Sequence, residues 1–338
     1  MRQSNRFAPA SALRLDAGRS FGKRTRQRTA INMAVFLGRR HRFSGGCEAP
    51  LAGHVPPVAL LPQFMSVPVY ERGRMNYQWI QGLLGARRQS RTEPRSGLEA
   101  PAVPSGHRVY AVGDIHGRAD LLRRLQATIA SDAVKAPANM QQTVVYLGDY
   151  VDRGLESQAV IDLLLAPPPE GLASVCLKGN HEEAMLLFLA DVTVGPAWFA
   201  MGGDATAYSY GVGLPKELSH EARFAHVWRE LRASIPAAHL AFLSGLPLTH
   251  AAGDYLFVHA GVRPGVPLDQ QRPDDLLWIR DQFLTADEGW DKIIVHGHSV
   301  THQPESLRNR IGVDTGAYVT NVLTCVVLEG SERRFLST

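Results

Sequence analysis

The chain has only three cysteines in 338 residues, Cys47, Cys176 and Cys325, widely separated and without a Cys-x-x-Cys pair. That excludes a disulfide framework and a thiolate zinc site, and makes a reducing compartment, the cytoplasm, the expectation. No run of about 18 or more apolar residues occurs, which excludes a helix of membrane-spanning length. The shorter apolar stretches do not read as secretory signals. The one at 31–38 is flanked by arginines without a small-residue cleavage pattern, and the one at 57–70 is broken by Pro57, Pro62 and Pro68. Acidic residues are scarce in one part only: residues 1–100 hold 17 Lys and Arg against 5 Asp and Glu, whereas 101–338 hold 19 against 27. The net charge of +4 therefore sums a basic leader and an acidic body. The acidic body gives no ground for a specific nucleic-acid partner and suits cation binding.

Two regions follow from this split. Residues 1–105 are rich in Arg, Ser, Gly and Pro without sustained periodicity and read as a basic, largely disordered leader. Its exception is 75–88, where Trp79, Ile80, Leu83 and Leu84 fall on one helical face ahead of Arg87 and Arg88. That segment has two readings, a weak contact with a membrane or anionic surface, or a helix packed on the neighbouring domain. Met75 is also an alternative initiator. Residues 106–335 read as the catalytic domain. Strands are expected at 109–112, 143–147, 173–177, 256–258, 292–295, 310–313 and 323–328, and helices at 120–129, 157–165 and 182–190, the second stopped by Pro167, Pro168 and Pro169. Residues 190–254 read as a helical insertion over the site. The expected fold is α/β, a two-sheet β-sandwich flanked by helices.

Short polar motifs sit just past the expected strand ends, where open α/β sheets place their sites. They are Gly113-Asp114-Ile115-His116-Gly117, Gly148-Asp149-Tyr150-Val151-Asp152-Arg153-Gly154, Gly179-Asn180-His181-Glu182, Val258-His259-Ala260-Gly261 and Gly297-His298-Ser299. Any one alone reads as a turn or helix cap; in series they supply the parts of a two-metal phosphate-ester hydrolase. Asp114 and His116, at i and i+2 of an extended segment, share a face and grip one ion. Asp149 is the expected bridging carboxylate, Asn180 offers an amide oxygen to the second ion, and His259 and His298 complete it. Carboxylates and imidazoles without thiolate suit Mn, Fe or Zn and do not choose among them; two divalent ions are expected, Mn first, with Fe and Zn as alternatives. Arg153 offers a planar fork to phosphate oxygens, and His181, charged and oriented by Asp152, is the candidate acid for the leaving alkoxide.

At these residues the chain resembles the phosphoprotein phosphatases among the calcineurin-like metallophosphoesterases, and within them the bacterial and phage-type serine/threonine enzymes. The resemblance spans about residues 107–331 and includes Trp278-Ile279-Arg280, Val313-Asp314-Thr315-Gly316-Ala317 and Gly202-Gly203. It implies a water or hydroxide nucleophile with no phosphoenzyme. It assigns Asp114, His116 and Asp149 to one metal, and Asp149, Asn180, His259 and His298 to the other. It gives phosphate binding to Arg153 and Arg280, and sets His296 and His302 aside as structural or rim residues. His259-Ala260-Gly261 departs from the His-Gly-Gly of the eukaryotic branch, so regulatory-subunit and toxin analogies are not carried over.

The expected activity is hydrolysis of phosphoserine or phosphothreonine in a phosphoprotein or phosphopeptide, with phosphotyrosine an additional substrate. A symmetrical diadenosine tetraphosphate hydrolase, which resembles the same family, is the alternative within enzymes; Asp152 and Glu182 favour the phosphatase, since the hydrolase branch tends to replace the first and carry Asp at the second. The reading outside enzymes is a basic-tail binding module on a degenerate fold, against which the full ligand set argues.

Overall fold

The computed structural model describes residues 100–338. Residues 1–99 of the leader, with the 75–88 helix and the Met75 start, lie outside the described residues; its last residues are held on the body, Ala102 N–H donating to Asp254 Oδ2 at 2.9 Å and the buried Val103 donating its N–H to Gly330 O at 3.0 Å.

The body alternates strands and helices at first: β1 (His107–Val112), α1 (Ala119–Ala133), β2 (Gln141–Tyr146), α2 (Ser157–Leu165), β3 (Leu172–Cys176) and α3 (Asn180–Ala190). The expected insertion follows as α4 (Gly195–Ala200), α5 (Gly203–Ser209), α6 (His220–Ser234) and α7 (Ala237–Gly245). The second half is strand-rich: β4 (Thr249–Ala252), β5 (Tyr255–Val258), α8 (Pro273–Trp278), α9 (Asp281–Leu284), β6 (Ile293–His296), β7 (Glu305–Ser306), β8 (Arg310–Gly312), α10 (Ala317–Thr320), β9 (Thr324–Glu329) and β10 (Glu332–Ser337). They form two five-stranded sheets, ordered β10-β9-β1-β2-β3 and β4-β5-β6-β8-β7. In each, the three strands nearest the site run parallel, β1 with β2 and β3, and β5 with β6 and β8.

The two-residue period of the strands divides the molecule into layers. Tyr110, Val112, Val144 and Tyr146 face the helices, where they meet Leu121, Leu122, Leu125 and Ile129 of α1 and Val160, Ile161 and Leu164 of α2. Their sequence neighbours Val109, Ala111 and Val145 face the other way and close on Tyr255, Phe257, Ile293, Val295 and Ile311 of the second sheet. On that sheet's far side, Leu256, Val258 and Ile294 pack on Leu276, Ile279 and Phe283 of the α8–α9 region. The result is helices, sheet, sheet, helices, the architecture expected from the alternation of apolar runs.

Terminations are local. α2 stops at Ala166, whose extended ψ of 149° is what the following proline imposes. α6 opens on Ser219, whose Oγ accepts from the Ala222 N–H at 3.3 Å.

Candidate active site

Because β1, β2 and β3 are parallel, their carboxyl ends share one edge, as do those of β5, β6 and β8. Asp114 and His116 leave β1, Asp149, Asp152 and Arg153 leave β2, and Asn180 and His181 open α3 after β3. His259 follows β5 and His298 follows β6. Both sheets therefore contribute side chains to one cluster along the seam between them.

The backbone there is strained. Among the described residues six non-glycines have φ in the left-handed region, and five are site residues: His116 (47°), Asp149 (53°), Asp152 (72°), Arg153 (69°) and His298 (62°). An L residue pays roughly 1–2 kcal/mol there, so the conformation persists only where surrounding contacts over-determine it. β1 ends at Val112 and His116 is left-handed, so Asp114 and His116 do not converge by the alternation of an extended strand. A turn brings them in, its amides at Ile115 and His116 both donating to Asp149 O, at 3.0 and 2.8 Å.

One carboxylate fixes the second motif. Glu182 accepts from the backbone N–H groups of Gly179 and Asp149 (both 2.8 Å), Tyr150 (2.7 Å) and Val151 (3.2 Å). Glu182 thus fixes the Asp149 loop through its backbone amides. Two glycines allow the close approach: a Cβ at Gly179 would collide with Asp149 Oδ1, and one at Gly297 with Asp114 Oδ1.

The imidazoles present lone pairs to one another. Nδ1–H of His116 donates to Val151 O at 3.0 Å and Nδ1–H of His259 to Leu147 O at 2.9 Å, which leaves each Nε2 unprotonated. Nε2 of His259 then faces Asn180 Oδ1 at 2.8 Å, His298 Nδ1 at 3.2 Å and Asp149 Oδ1 at 3.4 Å. Nε2 of His116 lies 3.5 Å from Asp149 Oδ2. Lone pairs converging in a buried space repel unless a cation sits among them. The donor atoms of His116, Asp149 and His181 lie within 4.8 Å of one another, as do those of Asp149, His259 and His298. Asp149 belongs to both groups, as a bridging ligand must.

The electrostatics point the same way. Burial raises the Asp149 carboxyl to about 7, with a further push from Glu182, and Glu182 itself to about 7. Asp114 is pushed well above the usual carboxylate range by burial and by Asp314 and Asp149. Burial lowers His259 to about 3, and lowers His116 and His298 in the same direction. Neutral imidazoles and carboxyls short of countercharge are the donor set that divalent cations satisfy, so the residues fit a two-metal site.

Beside this cluster sits a dyad. His181 Nδ1 lies 2.7 Å from Asp152 Oδ2. Asp152 is wholly buried and gripped from the insertion: Trp198 Nε1 donates to Oδ2 at 3.0 Å and Thr206 Oγ1 to Oδ1 at 2.7 Å. Burial pushes its carboxyl up to about 8, against the lowering pull of those two bonds and of Arg153. Arg153 Nη1 reaches His116 Nε2 at 2.9 Å and Nη2 reaches His181 Nε2 at 3.2 Å. Arg280 Nη1 donates to His298 O at 3.1 Å, which places the second guanidinium on the opposite flank.

All ten expected site residues thus lie at one edge of the sandwich, but two are grouped differently from the reading. His181, expected as an acid, falls within ligand range of the first group; Asp114, expected as a ligand, lies outside both. Its carboxylate instead accepts from the His298 N–H, Oδ1 at 3.1 Å and Oδ2 at 3.0 Å. His298 is preferred to its neighbours: His296 is buried with Nδ1 on Gly297 O, and His302 is exposed. The sequence reading missed the parts played by Asp314, buried against Asp114, by Thr206 and Trp198, and by Tyr318, whose ring lies 4.6 Å from the Arg153 guanidinium. The signal for three of them was present, in the Asp-Thr-Gly segment and in the Gly-Gly pair that Trp198 and Thr206 flank.

Residues 107–323 match the family model described as calcineurin-like phosphoesterase. The chain is similar to serine/threonine-protein phosphatase 2 of Salmonella typhimurium, 24% identical over 64% of this chain and 90% of that one. It is also similar to the symmetrical bis(5'-nucleosyl)-tetraphosphatase of Dechloromonas aromatica, 33% identical over 54% of this chain and 58% of that one. Among solved structures it is similar to a metallophosphoesterase from Sphaerobacter thermophilus, 18% identical, with a TM-score of 0.37 over 69% of this chain and 88% of that one.

Proposed function

Since the chain belongs to the calcineurin-like phosphoesterase family and is by that membership a metallophosphoesterase hydrolase, we propose that it removes phosphate from phosphoserine and phosphothreonine in proteins. The observation that carries this is the Asp152–His181 pair set beside Arg153 at the edge of the Asp149 cluster. A phosphomonoester with an alkoxide leaving group needs an acid there, because an alkoxide departs poorly without a proton.

Asp149, Asn180, His116, His259 and His298, with Asp114 adjoining, would hold two divalent cations. When bound, such ions supply charge stabilisation and a nucleophile from water near neutral pH. The chain's own groups do the rest. Arg153 and Arg280 flank the cluster and present planar forks to the non-bridging phosphate oxygens. Asp152, with its carboxyl near 8, and His181, lowered by burial, together keep one extra proton at neutral pH. Once the Arg153 fork turns from Nε2 to phosphate, a proton held on the Asp152 side of Nδ1 leaves Nε2–H of His181 as the donor to the departing oxygen. His181 thus keeps the acid role, since Nδ1 is already committed to Asp152 and Nε2 faces Arg153 and the space a phosphate would fill.

The tetraphosphatase relative supports a second reading, hydrolysis of a dinucleoside tetraphosphate. Rates on a phosphoserine peptide and on diadenosine tetraphosphate, each with Mn, Fe, Zn or Mg, separate the two. We expect kcat/KM on the peptide to exceed that on the dinucleotide by at least about tenfold; the reverse order would overturn the proposal in favour of the second reading.

A further inference from the structure

We propose that Tyr318 is a positioning residue for the phosphate-binding guanidinium of Arg153, an inference that rests on the role given to Arg153 above. Tyr318 lies on α10, far in sequence from the motif that carries Arg153. Its ring faces the Arg153 guanidinium at 4.6 Å and meets His116 edge-on, with centroids 5.4 Å apart and planes at 79°. The residue is 37% exposed, so the ring forms the rim of the site and is not core packing.

Both partners are held. α10 is tied down at its start, where Gly316 N–H donates to Asp314 Oδ1 at 2.9 Å and Thr320 Oγ1 donates to Thr315 O at 2.9 Å. Arg118 secures it from the first sheet's side, donating from Nη1 to Ala317 O at 3.1 Å and to Asn321 Oδ1 at 2.6 Å. Arg153 has its backbone fixed in the left-handed region, with its N–H on Gly202 O at 3.2 Å. Its guanidinium is then set by three contacts, His116 Nε2 and His181 Nε2 at its nitrogens and the Tyr318 ring, over which its carbon lies.

Those contacts are not equally durable. Once the His116 lone pair is engaged with a cation, Arg153 loses that acceptor. Once phosphate binds, the fork turns to oxygen. The contact with Tyr318 is made to the ring and needs neither the His116 lone pair nor the phosphate oxygens, so it persists through both changes and holds the guanidinium at the phosphate site. It uses the ring and not the hydroxyl, so phenylalanine suffices.

The test uses the full chain reconstituted with manganese, and reads inorganic phosphate affinity by calorimetry together with kcat and KM for a phosphoserine peptide. Tyr318→Leu is expected to weaken phosphate binding and raise KM by about five- to thirtyfold, the upper part of the span of a cation–π contact, and Tyr318→Phe to stay within about twofold. In an Arg153→Ala background the Leu substitution is expected to change phosphate affinity by less than about twofold, because its partner is gone. Equal losses in the two backgrounds would mean that Tyr318 touches phosphate directly. That result, or a Phe variant as weak as Leu, or a Leu variant with unchanged affinity, overturns the proposal. If the wild type prefers the dinucleotide, the substrate assignment fails while the cycle on inorganic phosphate still decides the role of Tyr318.

Discussion

The space between the two sheets and the edge at which they end are built on opposite terms. Between the sheets Val109, Ala111, Val145, Tyr255, Phe257 and Val295 are regular strand residues with apolar side chains, buried in register. At the carboxyl edge a few residues further on, Asp149, Asp152, His259 and His298 are as deeply buried but ionisable, and three of the four have left-handed φ. Burial is thus the same in both places and its consequence is not. In the interior it stabilises the fold through removal of apolar area from water; at the edge it opposes the fold and raises the affinity for cations.

Asp149→Asn is the sharpest test of that contrast, since it should move activity and stability in opposite directions. Loss of the shared carboxylate is expected to lower kcat/KM by about 10⁴-fold, roughly 5.5 kcal/mol of transition-state stabilisation. In the metal-free protein the same change removes a buried carboxyl whose folded state resists ionisation, so the melting temperature at pH 8 should rise by a few degrees. A metal-free variant that melts lower would show that the edge is not electrostatically frustrated.

In the interior the signs should agree. Phe257→Ala, at a position with no exposed surface, is expected to destabilise by about 3–5 kcal/mol in denaturant titration. Activity in the fraction that stays folded should hold within a few-fold. A variant as stable as wild type would mean that the layer between the sheets relaxes around the cavity.

The third expectation concerns pH. Asp149 and Glu182 titrate near 7 and Asp152 near 8 in the folded chain, against about 4 for ordinary carboxyls. The folded form therefore holds protons that the unfolded form releases, and the stability these groups contribute is lost as pH rises towards 8. The buried histidines act in the other sense: His259 lies near 3 and His296 near 4, so below about 6.5 the unfolded chain gains protons that the folded chain refuses. Between about 6.5 and 8 the raised carboxyls dominate. Metal-free protein should therefore lose about 1–3 kcal/mol between about pH 6.5 and 8, and manganese should flatten that alkaline limb. Melting curves with manganese and with chelator check this; a metal-free melting temperature that rises from pH 6.5 to 8 would break the comparison.

The regular region was the more legible one. Strands read from β-branched runs at 109–112 and 143–147 are β1 and β2 to within two residues, and α2 spans the residues expected of it. The strands that escaped are β4, β7 and β10. The first is short and alanine-rich, the second has two residues, and Glu332–Ser337 carries Glu and two Arg at a sheet edge where one side faces water. At the site, residue identities were legible because glycine-flanked carboxylates and imidazoles recur at strand ends. Their geometry was not, because it depends on contacts between distant segments. The Glu182 grip on the Asp149 loop spans about thirty residues, and the Trp198 and Thr206 bonds to Asp152 span 46 and 54. No local pattern encodes those.

The seam between the sheets also has a meaning in time. Asp114, Asp149 and Asn180 belong to the first sheet's edge and His259 and His298 to the second's, so neither sheet alone carries the Asp149–His259–His298 group. During synthesis Asp114 leaves the ribosome more than 180 residues before His298. On the proposed ligand set, the first half of the fold would be chemically silent until the second docks on it, and the nascent chain would not act on a phosphoester before its sandwich had closed.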